Sequence, residues 1–328
     1  MHTEARSPRR TVRSSSASSA FGVSSVALCD SLPKPGGVSC RSVVRARWKP
    51  PAGAGRTGDR LAAAIPAAHN RFGRATLGHM NVDLFIPCFV DQMSPQVGLA
   101  VATVLERLGH TCSFREAQTC CGQPSFNAGY WDEAREVAAR AVGIFADAEA
   151  VVGPSGSCVA MMRVFYPQLL EGTPHETAAL DLAAKTFEFG EFLVKKLGVT
   201  DVGARFPHRV TYHDGCHGLR ELRVRDEPRQ LLAAVKGLEL VECDEPESCC
   251  GFGGLFSVKF PMISTAMAEV KGGSLARTDC DYIVSSDPSC QLQLDGWLSR
   301  QTTTAGGRKV RTVHLAEVLA GTVESQSA

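Results

Sequence analysis

From residue 80 onward the chain alternates two hydrophobic patterns. Short apolar runs, Val82-Asp83-Leu84-Phe85-Ile86-Pro87-Cys88 and Val210-Thr211-Tyr212-His213-Asp214-Gly215-Cys216, read as strands that end on a cysteine. Each is followed by apolar residues at helical spacing, Pro95 to Leu108 and Pro228 to Leu238, opening on a proline with a glycine near the end. A second strand is predicted around Thr111 to Arg115 in one half and Leu238 to Cys243 in the other. Each half then runs through a Cys-Cys-Gly turn into an amphipathic helix, Tyr130 to Ala146 or Pro261 to Arg277, and an apolar strand, Ala150 to Gly153 or Tyr282 to Ser285. The stretches Lys185 to Leu193 and Arg311 to Leu319 echo one another as strand-to-helix closures.

The pattern is a duplication, and the cysteines set its register. Cys88, Cys120, Cys121 and Cys158 recur as Cys216, Cys249, Cys250 and Cys290, at offsets of 128, 129, 129 and 132 residues. Strands alternating with helices predict an α/β fold: two tandem pseudo-repeated domains, residues 80–200 and 208–320, with mostly parallel sheets flanked by helices. In such sheets ligands gather beyond the carboxyl ends of the strands, where Cys88, Cys158, Cys216 and Cys290 are expected. Gly122 and Gly251 directly follow the cysteine pairs, where a left-handed turn or a close backbone approach excludes a Cβ.

Residues 1–79 show neither period and are rich in Arg, Ser, Pro and Gly, so this N-terminal segment is expected to be disordered. The leading reading is that translation begins at Met80. An Arg-rich, acid-poor organellar leader and a twin-arginine signal at Arg9-Arg10 are the alternatives. Residues 321–328 read as a flexible tail.

Charge sharpens the division. Residues 1–79 carry 13 Lys or Arg against 3 Asp or Glu, whereas the remainder holds 22 basic and 31 acidic side chains. The acidic balance of the folded part does not favour phosphate backbones, so no nucleic-acid partner is expected. Every hydrophobic run is broken by charge, Pro or Gly well short of the roughly 18 residues a membrane span needs, so no transmembrane segment and a cytoplasmic location are expected.

Thirteen cysteines are too sparse in 328 residues for a disulfide scaffold, and the adjacent pairs Cys120-Cys121 and Cys249-Cys250 are poorly placed to bridge within themselves. They are well placed to gather thiolates. Soft sulfur suits iron, and four cysteines are the usual requirement of one iron–sulfur cluster; each half supplies four. A structural zinc site also takes four thiolates, but through paired Cys-x-x-Cys knuckles that neither half shows, which leaves a zinc-stabilised interaction protein as the alternative from another class.

The two motifs resemble the cysteine-rich CCG domain of heterodisulfide reductases and of glycolate oxidase iron–sulfur subunits. They are Cys88, Cys120-Cys121-Gly122-Gln123-Pro124 and Pro154-Ser155-Gly156-Ser157-Cys158, then His213-Asp214-Gly215-Cys216, Cys249-Cys250-Gly251-Phe252-Gly253-Gly254 and Cys290, covering Met80 to about Leu319. The resemblance implies an electron-transfer subunit with two iron–sulfur clusters, cubane or non-cubane being left open by the motif, in a complex that oxidises L-lactate to pyruvate. It also implies partner subunits, one of them a ferredoxin-like iron–sulfur protein, and a small 2-hydroxy acid substrate, with glycolate oxidase or heterodisulfide reductase-like complexes as alternatives. Where the reductase motif ends in Cys-x-x-Cys, this chain has Ser155 and Asp287. Four thiolates therefore suit a 4Fe-4S cube, and Asp287 is a candidate extra ligand.

His213 and His217 flank Cys216 and are candidates to hydrogen-bond a cluster sulfur, against the blander reading of a strand-end cap. Cys112, Cys243 and Cys280 lie outside the quartets and are expected in the core, as are Met161 and Met162. Gly251 to Gly254 lacks the third glycine of a dinucleotide loop, no Gly-x-Ser-x-Gly elbow is present, and no Cys-x-x-Cys offers thiol exchange.

Overall fold

The computed structural model describes residues 78–301 and 310–323. The expectations for residues 1–77 and for the tail beyond residue 323 lie outside the described residues.

The duplicated pattern folds into two four-stranded sheets. The first has the order β2-β1-β3-β4, built from β1 (Asn81–Leu84), β2 (Thr111–Phe114), β3 (Ala150–Gly153) and β4 (Thr186–Glu188). The second repeats it as β6-β5-β7-β8, from β5 (Arg209–His213), β6 (Glu239–Leu240), β7 (Tyr282–Ser285) and β8 (Arg311–His314). Every pairing is parallel. In each sheet the chain steps to one side of its first strand and then to the other, which opens a crevice between β1 and β3, or β5 and β7, at the carboxyl ends.

Parallel strands are covered on both faces, so β1 buries Val82, Asp83 and Leu84 alike. Asp83 is tolerated there because Arg115 grips both its oxygens, at 2.6 and 3.0 Å, and Ser113 Oγ donates at 2.6 Å. Helix Pro95–Arg107 starts on its proline and buries the stripe Val97, Val101, Val104 and Leu105. Gly122 and Gly251 both take left-handed φ, +81° and +84°, and a Cβ on Gly251 would lie 2.6 Å from the Ser264 carbonyl oxygen.

Two elements of the second repeat differ from the sequence reading: the helix expected over Pro228 to Leu238 spans Asp226–Ala233, and the strand after it is short. The strand expected over Leu238 to Cys243 keeps only Glu239–Leu240, with one further bond from Val241 N–H to the Val210 carbonyl at 2.8 Å. The chain then turns away so that the buried Lys271 ammonium can take the carbonyls of Glu245 and Pro246, at 2.7 and 2.9 Å. Between β3 and β4 the chain forms helices Gly156–Ala160, Tyr166–Leu170 and Glu176–Ala184, with a π-helical turn at Met161–Phe165. Met161 and Met162 are fully buried in it, as expected for core residues.

The two repeats have separate sheets and a common core. Val101 and Leu105 of the first pack in one cluster with Leu231, Leu315 and Leu319 of the second. The exchange is reciprocal: the closing helix Leu315–Ala320 packs against Pro95–Arg107, and the closing helix Phe189–Glu191 packs against Asp226–Ala233. Arg107 seals one of these contacts by donating to the carbonyls of Leu319 and Ala320, at 3.1 and 2.7 Å. Burying each large side chain contributes about 1.5–3 kcal/mol, so neither repeat keeps its full core without the other.

Candidate metal centres

The eight cysteines of the two quartets come together four and four. In the first repeat Cys88 opens helix Cys88–Met93 just past β1, Cys120 and Cys121 stand in the turn before Gly122, and Cys158 lies in helix Gly156–Ala160 just past β3. The switch point of the sheet thus supplies two thiols and the turn the other two. Gln118 moors that turn to the end of β1, accepting from Ile86 N–H at 2.7 Å and donating to the Leu84 carbonyl at 3.0 Å. Tyr166, fully buried, donates to the Cys121 carbonyl at 2.9 Å. Cys216, Cys249, Cys250 and Cys290 take the corresponding places in the second repeat.

Each quartet has a deep half and a rim. Cys121, Cys158, Cys250 and Cys290 are buried, whereas Cys88, Cys120, Cys216 and Cys249 are half-buried. All are free thiols. Cys88 Sγ lies 3.6 Å from Cys120 Sγ. Hydrogen bonds from the Cys121 and Cys88 thiols pull the pKa of Cys120 well below that of a free thiol, and those from Cys216 and Cys250 do the same for Cys249. The Gly122 and Gly251 N–H groups, each 3.4 Å from the sulfur, support these two thiolates. The donors Cys88 and Cys121 are pushed up in turn, Cys88 by bonding to Cys120 and then by burial, Cys121 by bonding to Cys120 and Cys158 and then by burial.

Such a donor set fits a thiolate-bound metal group: four sulfurs at one strand-end crevice, one already favoured as the anion, with backbone N–H groups aimed at it. The second set has further polar company. His213 is fully buried, neither ring nitrogen has a partner among the described residues, and burial followed by the nearby Lys271 charge pushes its pKa down to about 3. One of its ring nitrogens and the sulfurs of Cys250 and Cys290 lie within 4.8 Å of one another. Lys271, also fully buried, adds a contact to Cys243 Sγ at 3.7 Å.

The two centres are neighbours. Gly156 and Gly218 let the helices bearing Cys158 and Cys216 touch, since a Cβ on Gly156 would lie 3.1 Å from the Gly218 Cα. Phe89, next to Cys88, meets Phe252 edge to face at 5.4 Å. Asp287 ties the segments bearing Cys158 and Cys290: Oδ2 accepts from Ser157 N–H at 2.9 Å, and Oδ1 from Ser289 N–H and Oγ at 3.2 and 2.6 Å. Its carboxylate therefore organises two helix starts, one beside Cys158 and one beside Cys290. His217 sits between the repeats, its ring 6.4 Å from Phe165 and its Nε2 3.5 Å from the Gln123 amide.

Cys112, Cys243 and Cys280 are buried outside the quartets, as expected of core thiols. Sequence reasoning missed Gln118, Tyr166 and Lys271. Lys271 alone left a trace, because it falls on the apolar stripe of helix Pro261–Ala276 with Ser264, Ala268 and Leu275, where a solvated lysine does not belong.

Among the described residues no helix is long and apolar enough to cross a membrane. The family model of the CCG cysteine-rich domain matches the chain twice, at residues 82–163 and 210–295. Lactate utilization protein A of Geobacillus kaustophilus is 47% identical over 241 residues, covering 73% of this chain and 98% of that protein. The protein of the same name from Oceanobacillus iheyensis is 44% identical over 241 residues, covering 73% and 96%.

Proposed function

The chain belongs to the CCG cysteine-rich domain family, and on that premise we propose that it is the iron–sulfur electron-transfer subunit of a cytoplasmic complex that oxidises L-lactate to pyruvate. The observation that carries this reading is the convergence of two complete cysteine quartets at the strand-end crevices of two like sheets. Cys88, Cys120, Cys121 and Cys158 would hold one cluster, and Cys216, Cys249, Cys250 and Cys290 the other. Bound there, iron–sulfur clusters supply one-electron transfer at potentials set by burial and hydrogen bonding to sulfur.

The protein's own contribution is positioning. The deep cysteines lie away from solvent, the half-buried ones leave an edge open toward a partner, and the Gly156–Gly218 contact keeps the two centres adjacent. Binding and deprotonation of lactate fall in this reading to a partner subunit, with a ferredoxin-like iron–sulfur protein as the second partner. The names of the relatives support the choice of lactate over glycolate or a heterodisulfide.

The test is reconstitution with the products of neighbouring reading frames under anaerobic conditions. Addition of L-lactate should bleach the visible absorption of this subunit and release pyruvate, and a Cys121→Ser, Cys250→Ser double variant should do neither. Bleaching by glycolate and not by lactate would overturn the substrate assignment. A colourless zinc protein would overturn the electron-transfer role itself.

A further inference from the structure

The second quartet contains a potential ligand that its counterpart lacks. His213 stands three residues before Cys216, and Phe85 stands three residues before Cys88. The registers agree, since Val82 pairs with Ala150 in one sheet and Val210 with Tyr282 in the other. Phe85 fills its place as an apolar side chain, edge to face with Phe145 at 6.0 Å. His213 fills the same volume with two polar nitrogens, and neither finds a hydrogen bond among the described residues.

A neutral imidazole has one N–H and one lone pair, and leaving either unmatched in the interior carries the desolvation penalty of a buried polar group. An apolar residue would avoid that penalty, as Phe85 does. His110 is also buried without partners, but it precedes β2, at the end of the strands opposite the thiols. What sets His213 apart is that its ligand atom shares a space of 4.8 Å with the sulfurs of Cys250 and Cys290. His314, by contrast, is already engaged through both ring nitrogens, with the Pro154 carbonyl and the Ala316 N–H.

We propose that His213 is a ligand of the second metal centre through one ring nitrogen, so that the chain carries one all-thiolate centre and one mixed thiolate and imidazole centre. The proposal rests on the reading that the second quartet binds an iron–sulfur cluster. Exchanging an anionic thiolate for a neutral imidazole raises a cluster's reduction potential. Electrons would then settle on the second centre in preference to the first, giving the pair a direction.

The direct test is pulsed EPR of anaerobically prepared full-length protein carrying 15N-labelled histidine, with iron and sulfide measured on the same sample. A histidine nitrogen coupled as a direct ligand is expected in the parent and in His217→Ala. It should vanish in His213→Phe, which installs the first repeat's residue, and the higher of the two cluster potentials should fall toward the lower. If His213→Phe does not accumulate, His213→Cys offers a thiolate in its place and should keep its iron while losing the nitrogen signal. Clusters present without histidine coupling in the parent, or coupling that survives either substitution, would overturn the assignment and leave the electron-transfer role intact. A sample without iron and sulfide would overturn both.

Discussion

The two repeats share a frame and differ in what surrounds their thiols. The first encloses its quartet with apolar residues: Phe85 at the end of β1 and Ala141 on helix Trp131–Ile144. The second has His213 and Lys271 at the matching positions, the helices being aligned by Ala134 and Ser264, which face Gly122 and Gly251 respectively. Duplication conserved the four sulfurs and the glycine turn. The charges nearby diverged, and charges beside a metal group tune its reduction potential.

The largest expected effect treats the repeats as equals. Cys121→Ser and Cys250→Ser should each remove the iron of one centre and leave the other, halving iron and sulfide per chain. Loss of both clusters from either variant would show that the centres assemble together.

The common core makes the opposite demand. Leu105→Ala, at a site where both repeats pack, should destabilise the protein by about 2–5 kcal/mol and keep a single unfolding transition in urea. Two separated transitions would show that the repeats unfold independently.

Lys271 exists in one repeat only. Lys271→Met leaves the Glu245 and Pro246 carbonyls without their donor, which should cost about 2–3 kcal/mol. Removing the positive charge should also lower the potential of the second centre while the first stays put. Equal shifts at both would contradict the placement of Lys271 beside one quartet.

A finer asymmetry concerns pH, because the closing strands end on Glu188 in one repeat and His314 in the other. Burial raises Glu188 from 4.5 to about 8, so its contribution to stability is complete below about pH 4.5 and is lost as pH rises through 8. Burial lowers His314 from 6.5 to about 4, so stability is lost as pH falls from 6.5 toward 4, by on the order of 3 kcal/mol. Glu188→Gln should flatten the alkaline limb of a urea-midpoint profile and His314→Gln the acid limb. Each variant is compared with its parent at the same pH, which cancels the cysteines.

The quartets were legible in the sequence because a cysteine pair followed by glycine at a constant offset has few structural excuses. Strands such as Ala150–Gly153 and Tyr282–Ser285 were legible to the residue, since a buried parallel strand is a plain apolar run. The common core was not. A duplicated pattern reads as two separable bodies, and nothing local announces that Leu315 packs against the first repeat's helix. The role of Asp287 was hidden for the same reason: its donor Ser157 lies 130 residues away. The loop that follows the short β6 is held by Lys271, a contact between residues 25 and 26 positions apart that no local pattern announces.

The central claim is that each quartet holds an iron–sulfur cluster, and chemical analysis of the full-length protein purified without air addresses it most directly. Iron and acid-labile sulfide in the ratio of two clusters per chain, with the brown colour of iron–thiolate sites, is the predicted result. A colourless protein whose thiols are bound to zinc, or bound to nothing, would contradict it.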